Sequence, residues 1–135
     1  MTTGGDPPHT PHVLELNGDV ADIPGVRRWA ESALPGLHED DLLDVQLVVT
    51  ELVSNVYDHG RFPARLRLHR RGGDDGVEVV VEDASTTPPQ LRPSSPDSVR
   101  GRGLVLVDQL SAKWGVLSRN AGKTVWAVVP CPETC

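Results

Sequence analysis

Glu51 and Asn55 stand four residues apart in the run Asp41–Gly60, so on a helix their side chains stack on one face. A carboxylate can orient or deprotonate a hydroxyl, and an amide oxygen can ligate a hard cation. Together they suit a hydrolytic or phosphotransfer site. Leu42, Val45, Val49, Leu52, Val53 and Val56 form the apolar arc of that helix. At about 100° per residue, Glu51 and Asn55 fall at the border of the arc, where a cleft would lie. Taken alone, such a pair is more often just two solvated polar residues, so the rest of the chain decides.

Three other stretches carry chemistry. Asp83 follows the apolar run Val77–Val81 and leads into Ala84 and Ser85. A carboxylate accepts hydrogen bonds without donating, which suits an exocyclic amine such as that of adenine. The competing reading is a turn cap. Arg100, Gly101, Arg102, Gly103 and Leu104 put glycines and positive charge where a loop opens a helix, a natural setting for phosphate or simply a hinge. Thr124, in Gly122–Trp126, either bonds a base or phosphate or is only a β-branched strand residue. No Walker loop and no dinucleotide fingerprint occurs.

The elements that must position these residues follow from periodicity and punctuation. Alternation predicts strands over His12–Leu16 and Ala64–Arg70, Val77–Val81 reads as an apolar strand of buried type, and Lys113–Leu117 and Thr124–Val129 read as two closing strands. Asp19 or Asp22 caps a first helix through Val26, Trp29, Ala30 and Ala33, ending near Pro35. The long helix starts on Glu39, Asp40 and Asp41, where its positive end welcomes acids, and stops at Gly60. Residues 90–102 read as a mobile loop and Leu104–Leu110 as a short helix. The expected fold is an α+β two-layer sandwich, with a mixed, mostly antiparallel sheet and helices packed on one face.

A chain of 135 residues suits one domain with a proper core. The expected division is a disordered lead over 1–11, the domain over 12–130, and a tail over 131–135. Cys131 and Cys135 in that tail read as two dispensable free thiols rather than a disulfide or half a metal site. The net charge is −6, which argues against direct nucleic-acid or anionic-membrane binding. No run approaches the roughly 18 apolar residues of a membrane span, and no signal pattern opens the chain, so the cytoplasm is the expected compartment.

Taken in order, these stretches resemble the ATP-binding domain shared by histidine kinases, gyrase-type ATPases and a class of heat-shock chaperones, the GHKL or Bergerat fold. Within it they look most like the anti-sigma factor serine kinases. Glu51–His59 resembles the family's N box, and Val81–Ser85 its adenine-contacting box. Gly101–Leu104 with Val107 and Leu110 resembles its second glycine box; Lys113–Gly115 and Gly122–Trp126 resemble its closing strands. One departure stands at Ser85 and Thr87, where many members carry glycine.

The resemblance implies ATP and Mg²⁺ as cofactors. Asn55 would coordinate Mg²⁺, Glu51 would be the general base, Asp83 would take the adenine amine and Thr124 would support it. Ser85, Gly101, Arg102, Gly103 and Leu104 would complete the nucleotide site. The implied activity is a serine/threonine protein kinase acting on a STAS-type anti-sigma factor antagonist. A sigma factor is the implied second partner, and a homodimer through the first strand and first helix fits this branch. Two rivals stay open: a regulatory module that holds ATP without kinase activity, and an interaction protein that no longer binds it.

Overall fold

Ala64–Arg70 alternates apolar and polar residues, Val77–Asp83 and Gly122–Val129 are longer apolar runs, and the five strands form one sheet. In a computed structural model the order is β1 (His12–Leu16), α1 (Ile23–Ala33), α2 (Glu39–His59), β2 (Ala64–Arg70), β3 (Val77–Asp83), α3 (Val99–Leu110), β4 (Lys113–Arg119) and β5 (Gly122–Val129). The structure describes residues 11–71, 76–86 and 99–134, without the side chains of 99–103. Residues 1–10 of the expected lead over 1–11, residues 72–75, residues 87–98, which include most of the expected loop over 90–102, and Cys135 lie outside the described residues. The strands lie in the order β1-β2-β3-β5-β4. Every pairing is antiparallel, in keeping with the mostly antiparallel sheet that was expected. The α+β layering matches the expectation.

Register decides which side chains meet. Leu66 pairs with Val81 and Leu68 with Val79, while Val79 pairs with Ala127 and Val81 with Val125. These residues build the inner face, against which α2 presses Val45, Val48, Val49, Leu52, Val53 and Val56. Each such side chain contributes about 1.5–3 kcal/mol by leaving water. Arg65, Arg67, Glu78, Val80 and Glu82 occupy the outer face. There Arg65 and Arg67 both approach Glu82, at 3.9 and 3.6 Å.

Local signals start and stop the helices. Asp22 caps α1 by accepting the Gly25 N–H at 3.0 Å, a contact worth about 1 kcal/mol. α3 begins at Val99, earlier than the expected Leu104, so Gly101, Arg102 and Gly103 lie in its first turns instead of before it. Leu104 and Val107, both buried, anchor the helix to the core, and that packing outweighs the roughly 1 kcal/mol that each helical glycine costs.

The C-terminal tail is part of the packing. Cys131 is buried within the core cluster. The Thr134 hydroxyl donates to Asp41 Oδ2 at 2.5 Å and accepts the His38 N–H at 3.0 Å, so the tail ties down the start of α2. No helix among the described residues is long and apolar enough to cross a membrane.

The acidic first turn of α2 has a titration consequence. Burial first, then the charges of Asp41 and Asp40, hold the Asp44 carboxyl above its ordinary pKa. The folded chain therefore holds that proton more tightly than the unfolded one. Its favourable contribution is complete below the unfolded pKa and is lost as pH rises through the folded one. Asp44→Asn is expected to raise Tm at neutral pH and to leave it unchanged near pH ~3, as thermal melts at the two pH values will show.

Candidate nucleotide site

The site is built where the end of α2 meets the end of β3. Gly60 caps α2, its N–H donating to the Val56 carbonyl at 2.8 Å. A Cβ on Gly60 would sit 2.9 Å from the Val56 oxygen and 3.1 Å from Asp83 Cγ, so only glycine lets helix and carboxylate approach this closely. The Arg61 carbonyl then accepts the Ala84 N–H at 2.8 Å and pins the two chain ends together.

Asp83 is the last residue of β3 and is buried. Its Oδ1 accepts the Ser85 N–H at 2.6 Å, a local Asx turn that fixes the carboxylate. Ser85 is buried beside it. Lys123, the cross-strand partner of Asp83 on β5, places its ammonium 3.0 Å from Oδ2 and 3.3 Å from Oδ1. The side chain of Lys123 is 7% exposed and that of Asp83 2%, so this is an ion pair taken out of water. A Cβ on Gly122 would lie 2.3 Å from the Asp83 carbonyl oxygen, which explains glycine at the start of β5.

Glu51 and Asn55 are half-buried on α2, at the edge of its buried stripe. Gln46 bonds the Arg27 carbonyl and Tyr57 the Asn17 carbonyl, which marks the α1 side of the helix. Glu51 and Asn55 stand on the opposite border, and α3 is the other helix packed on α2. From the Gly60–Asp83 contact, Asn55 is about 7.5 Å up the helix axis and Glu51 about 13.5 Å, at 1.5 Å per residue. Measured along the axis of α2, the Asp83 carboxylate of β3 at the helix end, the Asn55 amide and the Glu51 carboxylate therefore follow one another.

Two expected members do not join this group. Thr124 pairs with Glu82 and Leu117, and both belong to the outer face. Because side chains alternate along a strand, Thr124 points away from Asp83, and its neighbour Lys123 takes the inner position. Thr124→Val should accordingly leave Mg·ATP affinity unchanged in calorimetric titration. Leu104 is 3% exposed and packs in the core. Gly101 lies in the first turn of α3, where backbone N–H groups lack helical partners, and Arg102 and Gly103 follow it in the helix. His59 is exposed in the last turn of α2. Lys123 is the neighbour of Asp83 that sequence reasoning passed over; the parity of β5 relative to Asp83 is the signal that finds it.

The donor set fits a nucleotide with its metal. Asp83 is an acceptor at the end of a buried strand, and the glycines at 60 and 122 bring backbone close around it. Among the described residues no three His, Cys, Asp or Glu side chains cluster as a metal cage. Mg²⁺ is commonly held by one or two protein oxygens together with phosphates and water, and the Asn55 amide can supply one.

Comparison with solved structures shows the same fold. The RsbU and RsbW domains of Rv1364c from Mycobacterium tuberculosis match over 89% of this chain, with a TM-score of 0.66 and 18% identity. The histidine kinase domain of the blue-light-activated histidine kinase from Erythrobacter litoralis matches over 83%, with a TM-score of 0.55 and 17% identity. The chain spans 32% of the first of these proteins and 64% of the second. A comparison with curated proteins returned no match. The profile of the histidine kinase-like ATPase domain matches residues 16–129, nearly the whole chain. With its sheet, its helices and the residues along α2 in that arrangement, the chain belongs to the histidine kinase-like ATPase domain family.

Proposed function

We propose that this chain is an ATP- and Mg²⁺-dependent serine/threonine protein kinase of the anti-sigma factor type, whose substrate is a serine of a STAS-type anti-sigma factor antagonist. The observation that carries the proposal is the order along α2: Asp83 at its end, then Asn55, then Glu51. That is the order in which a nucleotide presents its base, its metal-bound phosphates and the attacked phosphorus. Membership of an ATPase-domain family supports ATP as the ligand, and the likeness in fold to a protein with an RsbW domain supports the anti-sigma branch.

In this reading Asp83 accepts the base amine and Asn55 offers its amide oxygen to the metal. Mg²⁺, when bound, supplies charge neutralisation across the phosphates. The N–H groups in the first turns of α3 face negative charge, with Arg102 beside them in sequence. Glu51 holds the acceptor serine and takes its proton as the serine oxygen–phosphorus bond forms and the bond to ADP breaks. A sigma factor is the proposed second partner. Homodimerisation is proposed through β1 and α1: β1 is an edge strand with Val13 47% exposed, which leaves an edge for a second copy.

One observation favours a second reading, a regulatory interaction module without kinase activity. The Asp83 carboxylate already has an internal partner in Lys123. Incubation with γ-labelled Mg·ATP and a purified STAS-type antagonist separates the two. Serine-bound label is the expected result; bound ATP without transfer selects the module.

A further inference from the structure

A buried lysine on a buried aspartate is an expensive way to hold two strands together. Each ion gives up several kcal/mol of hydration, and an apolar pair of similar volume commonly serves the fold as well or better. Asp83 and Lys123 nevertheless face each other across β3 and β5 at the one point where the sheet, Gly60 of α2 and Gly122 converge. We propose that Lys123 is a base-reading residue: held on Asp83, its ammonium donates to the ring nitrogen beside the exocyclic amine that Asp83 accepts. The inference rests on the nucleotide reading above and names which edge of the base the site recognises.

The argument is one of donors and acceptors. A carboxylate offers about four lone-pair positions. The Ser85 N–H takes one on Oδ1 at 2.6 Å, and the ammonium spans both oxygens at 3.0 and 3.3 Å. What is left is acceptor capacity on Oδ2. An ammonium has three hydrogens, and two suffice for its contacts with the carboxylate. The pair thus presents one acceptor beside one donor. The edge of adenine carries an amine N–H beside an unprotonated ring nitrogen, N1, and matches both. Guanine sets two N–H donors against the carboxylate and finds Oδ1 already engaged. Thr124, the neighbouring residue with a hydroxyl, faces the other side of the sheet and cannot substitute.

The test compares Mg·ATP with Mg·1-deaza-ATP, in which N1 is a C–H, by calorimetric titration of the whole chain and of Lys123→Met. The wild type is expected to prefer ATP by roughly tenfold or more, the range for a hydrogen bond from a charged donor. Lys123→Met is expected to bind the two within about twofold of each other, since an aliphatic side chain donates to neither. ATP affinity alone is a poor guide, because removing the ammonium also frees the Asp83 oxygens. Equal affinities in the wild type, or undiminished preference in Lys123→Met, overturn the assignment while leaving the nucleotide reading in place. If the wild type binds neither nucleotide, the nucleotide reading fails and this one falls with it. Should Lys123→Met fail to fold, Lys123→Arg, which keeps N–H donors on a cation, is expected to retain the preference. Parity between the nucleotides in that variant or in the wild type counts against the inference.

Discussion

Asp83→Asn is expected to weaken Mg·ATP binding by roughly 10- to 100-fold and to destabilise the fold at the same time. The first effect is the loss of a charge-assisted acceptor for the base amine. The second comes from Lys123, whose side chain is 7% exposed and would be left as a buried cation without a counter-charge. Breaking one side of such a pair costs about 3–5 kcal/mol, a large share of the ~5–15 kcal/mol that holds a domain together. The two effects separate in the double variant Asp83→Asn with Lys123→Met. With no uncompensated charge inside, most of the stability should return in denaturant melts, whereas Mg·ATP affinity should stay low in calorimetry. Recovery of affinity along with stability would remove Asp83 from the binding site.

The second large effect is on chemistry rather than binding. Glu51→Gln keeps the shape of a half-buried side chain on α2 and removes its basicity. Phosphoryl transfer to the antagonist should fall by about 10²–10⁴, the usual contribution of a positioned general base. The Mg·ATP dissociation constant should stay close to that of the wild type, because Glu51 lies beyond Asn55 from the base-binding end. Single-turnover label transfer alongside calorimetry distinguishes this from a binding defect. Loss of binding in step with transfer would make Glu51 part of the nucleotide or metal shell instead of the base.

Where periodicity is strong, the sequence reads directly. β1 and β2 have the expected bounds because Leu66 and Leu68 alternate cleanly with Arg65, Arg67 and His69. β3 runs two residues beyond its apolar run, because Glu82 faces outward beside Arg65 and Arg67 and so breaks no rule of the buried face. Glycines mislead at α3, where tertiary packing of Leu104 and Val107 carries the helix back to Val99. The role of the C-terminal tail is invisible in the sequence, since Thr134 finds its partners, Asp41 and His38, more than ninety positions away.

In the site, the pair on α2 is legible because four-residue spacing fixes a common helix face. Asp83 is legible because it ends an apolar strand. The Thr124 expectation fails for a single reason: a strand's two faces alternate, and a one-residue difference in register exchanges them. Only the pairing of Asp83 with Lys123 reveals which of the two neighbours looks inward. Gly60 and Gly122 likewise read as a stop and a turn, and only their distances from Asp83 show that they make room for it.

A titration of the ¹⁵N-labelled chain with Mg·ATP, followed by amide resonances, asks whether Asp83 and the polar border of α2 share one ligand. The account predicts saturable shifts at Asp83, Ser85 and Lys123 and, with them, at Glu51 and Asn55. Amides at these positions that stay still at saturating nucleotide, or shifts confined to the outer face of the sheet, would contradict it.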